Sequence, residues 1–76
     1  MHFRVIKSLA VTLREDPRGA MGVSENASVG EINAAFRRLA QAYHPDRSDP
    51  FLRETHAEIF RALCEARGQL VSQARR

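Results

Sequence analysis

Ile32, Phe36, Leu39 and Tyr43 recur at intervals of four, three and four, with Ala35, Ala40 and Ala42 between them. That period gathers the apolar side chains on one face of a helix. Just before it, Ser28-Val29-Gly30-Glu31 reads as a capping box: the serine caps a free amide and the glutamate reaches back to the serine's own N–H. Pro45 ends the run, because proline forces the residue before it out of the helical region. The pattern therefore predicts a helix over about 29–43, with His44 already leaving it. A second run, Ile59, Phe60, Leu63, Ala66, Leu70 and Val71, predicts a helix over about 53–73. Gly68 interrupts it, as its end or as a weak point, since glycine costs about 1 kcal/mol relative to alanine inside a helix. Between the two lies a loop, 44–52, punctuated by Pro50. Phe36, Phe60 and Leu63 are assigned to the core, and Phe51, beside Leu52, is placed to close the open end.

The first third of the chain is less regular. Over residues 2–14 two periods compete. Phe3, Val5, Leu9, Val11 and Leu13 alternate as in a strand, whereas Phe3, Ile6, Ala10 and Leu13 share a helical face. No later segment offers a partner strand, and a lone strand is not stable, so the reading leans to helix. Asp16-Pro17 is a helix start, a capping carboxylate followed by proline in the first helical position. Only a few residues follow before Gly22, which gives a short helix over about 17–21 and a loop over 22–27. Two long amphipathic helices with a short connection bury their stripes against each other. The expected fold is all-α: an antiparallel helical hairpin with a short first helix, organised as an N-terminal extension, 1–15, and a domain, 16–76.

With 76 residues the chain is one small domain. Such a domain buries only about 60% of its unfolded surface, which leaves little room for a reaction pocket beside a core. Its 43% apolar content is enough for folding. Cys64 is the single cysteine, so no internal disulfide can form; a small core or boundary position suits it better than a nucleophile's role. His56 and Cys64 lie eight positions apart on the second helix, roughly 12 Å along its axis and too far to share a metal ion. His44 has no second ligand at a matching spacing. No enzyme activity, cofactor or metal is expected. No apolar run approaches the length of a membrane span.

The formal net charge is +3 and the pI about 10.0. Eleven of the twelve basic residues are arginine, a fixed, planar donor suited to carboxylate and phosphate. An anionic partner is implied. Residues 1–14 carry Arg4, Lys7 and Arg14 and no acid. That faintly resembles an organellar presequence, so the organellar matrix is the alternative to the expected cytoplasmic location.

His44-Pro45-Asp46 sits where the first long helix is forced to stop. With Met21-Gly22-Val23-Ser24, Glu31-Ile32, Ala35-Phe36-Arg37-Arg38-Leu39-Ala40, Tyr43 and Arg47, and then Phe60, Leu63, Ala66 and Leu70, it makes the sequence from about residue 16 onward resemble a J domain, the DnaJ-type co-chaperone module. The resemblance implies that His44, Pro45 and Asp46 are the contacts that trigger ATP hydrolysis in a DnaK-type heat-shock chaperone. It also implies that Arg37, Arg38 and Arg47 supply electrostatic contacts to it. Elementary chemistry agrees. Pro45 lowers the ordering cost of a binding loop, Asp46 can accept a bidentate arginine, and exposed arginines raise the on-rate toward an acidic surface.

The departures are specific. Where the family's first helix carries aromatic residues, this chain has Pro17, Arg18 and Met21. Asn33, Ala34 and Ala42 are neutral at positions that are commonly basic, and Ala66-Arg67 replaces an Ala-Tyr pair. The sequence reaches Arg75-Arg76 where the family's fourth helix would start. These thinned positions motivate an alternative, a J-like adaptor or scaffold with weak or no ATPase activation, with a further protein partner on residues 3–13. A basic hairpin that binds nucleic acid rests on the pI alone, and no nucleic-acid motif supports it.

Overall fold

The computed structural model describes residues 8–44, 46 and 49–75. The expected face residues Phe3, Val5 and Ile6 lie outside the described residues, as do Pro45 and Arg47. The architecture is all-α: α1 (Leu9–Glu15), α2 (Pro17–Met21), α3 (Val29–Ala42) and α4 (Arg53–Ala74), with a 3-10 turn, Pro50–Leu52, leading into α4.

Helices α1, α2 and α3 each begin at a side-chain cap, whereas α4 follows Leu52 without one. The Ser8 hydroxyl accepts from the Val11 N–H at 3.3 Å and opens α1. Asp16 serves two helices at once. Its N–H donates to the Thr12 carbonyl at 2.8 Å, closing α1, and its carboxylate accepts from the Gly19 N–H at 3.1 Å, opening α2. Gly22, at φ 71°, ends α2 in the left-handed region that glycine adopts without a steric cost. The capping box is formed as read: the Glu31 N–H donates to Ser28 Oγ at 3.1 Å, and the Ser28 N–H donates to Glu31 Oε1 at 3.4 Å. Tyr43 caps the far end of α3, its N–H reaching the Leu39 carbonyl at 3.0 Å. Gly68 is neither an end nor a break; α4 runs straight through it.

Helix α4 packs against α1 and also against α3, while α1 and α3 scarcely meet. It therefore lies between them. The core runs along its length: Ala10 and Leu13 from α1, Met21 from α2, Ala27, Ile32 and Ala35, and then Ile59, Ala62, Leu63, Ala66 and Leu70. Leu63 is fully buried, but Phe36 and Phe60, assigned to the core from their spacing, are only half-buried. Their rings meet 6.3 Å apart at the open edge of the α3–α4 contact. Phe51 does not close the end of the hairpin. It is 95% exposed, because the turn that carries it is pinned by Asp49, whose carboxylate accepts the Phe51 N–H at 3.0 Å. Cys64 is also exposed, on an outer face of α4 rather than at a core or boundary position.

Arg18 stands where the resemblance leads one to expect an aromatic ring, and it secures the domain polar-wise. One of its guanidinium nitrogens donates to the Ser24 carbonyl at 2.8 Å. The other donates to Gln73 Oε1 at 3.1 Å, fastening the α2–α3 loop to the last turn of α4. Among the described residues, no helix is long and apolar enough to cross a membrane.

Candidate functional site

His44 leaves α3 with its imidazole turned back onto α4. The ring meets Phe60 edge-on, centroids 5.5 Å apart at 70°. One residue earlier, Tyr43 meets His56 of α4 at 5.4 Å and 89°. Two successive ring contacts thus hold the exit of α3 against the start of α4. Such edge-to-face pairs contribute about 0.5–1.5 kcal/mol each beyond the area they bury.

The Asp46 N–H donates to His44 Nδ1 at 3.2 Å. In that arrangement Nδ1 is an acceptor, so the proton of the neutral ring sits on Nε2. The Asp46 carboxylate is 3.9 Å from the same nitrogen, and its side chain is 90% exposed. The histidine therefore shapes the turn, and the turn presents the carboxylate to solvent. A carboxylate held this way offers two oxygens to an incoming guanidinium.

Beside this turn lies an open groove of about 450 Å³ lined by Phe36, Arg37, Ala40, Gln41, His44, Asp46 and Phe60. The floor is aromatic and apolar, one wall carries Arg37, and the mouth carries Asp46. Arg38 is not part of it. One residue further along a helix is a turn of about 100°, and Arg38 lines a separate depression of about 390 Å³ with Gly22, Val23, Ser24 and Glu31. The structure thus brings together His44, Asp46 and Arg37, and separates Arg38 from them. Pro45 and Arg47 fall outside the described residues.

Sequence reasoning missed Phe36, Ala40, Gln41 and Phe60 as groove residues. Part of the signal was present, since Gln41, Ala40, Arg37 and Phe36 lie three, four, seven and eight positions before His44 and so share its side of the helix. It also missed Arg67, whose guanidinium lies over the Phe36 ring, 4.7 Å from the centroid. No spacing rule pairs a residue of α4 with a residue of α3.

Fold and site together define a helical hairpin that exposes the Asp46 carboxylate just beyond the end of α3. The DnaJ domain family model matches residues 19–76, and the chain belongs to that family. It is 51% identical over 47 residues to the chaperone protein DnaJ of Tropheryma whipplei (strain Twist), covering 57% of this chain and 14% of that protein. It is 40% identical over 63 residues to the chloroplastic chaperone protein dnaJ A7B of Oryza sativa subsp. japonica, covering 79% of this chain and 14% of the relative. The chloroplastic chaperone protein dnaJ A6 of Arabidopsis thaliana is 46% identical over 48 residues, 62% of this chain and 11% of the relative. The chain thus spans a small fraction of the length of the curated relatives it matches. No solved structure matches it.

Proposed function

We propose that this domain is a J-domain co-chaperone that binds a DnaK-type chaperone through the His44-Pro45-Asp46 turn and stimulates its ATP hydrolysis. In this reading it performs no chemistry of its own; binding shifts the partner toward its hydrolysing state. Arg37, Arg38 and Arg47 act as electrostatic contacts that steer an acidic surface of the partner. The observation that carries the proposal is the seating of His44 on Phe60 with its Nδ1 bonded to the Asp46 N–H, which leaves the carboxylate exposed at the groove mouth. The cytoplasm is the proposed compartment, with an organellar matrix as the alternative given chloroplastic relatives.

Single-turnover ATP hydrolysis by a DnaK-type chaperone tests the proposal. The intact chain is expected to accelerate it, and His44→Gln to lose most of that acceleration. If the intact chain leaves the rate unchanged, or the variant matches it, the proposal fails. Binding without acceleration selects the scaffold reading, which the neutral Asn33, Ala34 and Ala42 motivate.

A further inference from the structure

Arg67 is exposed on α4, and its guanidinium covers the Phe36 ring at 4.7 Å. The contact is well within the roughly 6 Å reach of a cation–π interaction. Stacking orders the planar group and leaves its N–H edges free to donate. Among the described residues Arg67 has no acidic partner; the ion pairs there are Arg14 with Glu58 and, when the ring is protonated, His44 with Asp46. Arg37 likewise has none. Phe36 lines the same groove as Arg37, so two arginines without an acidic partner among the described residues serve one groove, Arg67 of α4 over the Phe36 ring and Arg37 of α3 in the lining. Helix α3 meanwhile exposes the neutral Ala34 and Ala42, while Asn33 is partly buried.

We propose that Arg67 is a specificity-determining contact of this domain: it moves part of the basic docking surface from α3 to α4, where with Arg37 it clasps a carboxylate on the partner chaperone. The proposal rests on the docking reading above. A stacked arginine suits this task because its fork is already oriented, so less side-chain entropy is lost when a bidentate carboxylate pair forms.

The test titrates the intact chain and its variants into a DnaK-type chaperone, reading the concentration for half-maximal ATPase stimulation at low and high salt. Arg67→Tyr keeps a planar group on Phe36 and removes the charge. Thermal unfolding is expected to be close to that of the parent. Half-maximal stimulation is expected to need about fivefold more protein, with a shallower salt dependence and an unchanged maximal rate, as for a lost charged contact outside the trigger. Arg67→Lys keeps the charge, loses the fork and is expected to fall between. An Arg67→Tyr chain that half-saturates at the parent's concentration overturns the proposal while leaving the co-chaperone reading in place. An intact chain without stimulation removes both.

Discussion

Phe60 and Phe51 illustrate how little the hydrophobicity of a residue says about its job. Phe60 does three things at once: it packs on Phe36, supports the His44 ring and lines the groove. Its truncation to alanine is expected to cost about 2 kcal/mol, below the range for fully buried phenylalanines because it is only partly buried. Chemical denaturation reads that loss. Phe51, almost fully exposed, is expected to behave oppositely. Phe51→Ala should change the unfolding free energy by less than about 0.5 kcal/mol; a larger loss in the same measurement would show that the ring packs on the domain after all. Spacing separated these two phenylalanines only in part. Phe60 belongs to a run with a period, whereas Phe51 sits in a turn where no period decides which way a side chain points.

The starts of α2 and α3 were the most legible part of the sequence, because a cap is a local device. Ser28 and Glu31 bond each other across a single turn, and Asp16 with Pro17 needs only its own segment. Partners in tertiary packing were the least legible. The stripe of α1 shows that Ala10 and Leu13 need cover, yet nothing in residues 9–15 says that α4 supplies it. Gly68 was equally undecidable, since a glycine in a periodic run stops a helix or is carried through it according to what the neighbouring elements gain. Its surroundings now give it a sign. A Cβ added at Gly68 meets nothing within 4 Å, so Gly68→Ala is expected to stabilise the domain by about 0.5–1 kcal/mol. Gly22 has equally open space but the opposite outcome, because its φ of 71° strains any L side chain. Gly22→Ala is expected to destabilise by about 1 kcal/mol. Measured side by side in denaturant, the two substitutions should move the midpoint in opposite directions.

At the scale of the molecule the helices form a thin slab, with principal extents of 41, 34 and 15 Å. Its apolar interior is therefore a seam along α4 rather than a ball, and each flanking helix carries a large share of it. A domain of this length has a total stability of only about 4–11 kcal/mol. Leu13→Ala, at a site 1% exposed, is expected to remove about 3 kcal/mol of it. The family match begins at residue 19, after α1, so a chain trimmed to the matched segment bares one flank of α4. Circular dichroism with thermal melting is expected to show a much lower midpoint for the trimmed chain; an unchanged melt would mean that α1 contributes little to the seam.

Arg37 and Arg38 are neighbours in sequence that open onto different depressions, one beside His44 and one beside Ser24. A flat surface pressed against α3 can meet one of them and must turn away from the other. A partner that uses both has to be concave and grip the helix as a hand grips a rail. Substituting each arginine in turn therefore measures the shape of the partner as well as its charge. Comparable losses for both describe a cleft, and a loss for Arg37 alone describes a plane.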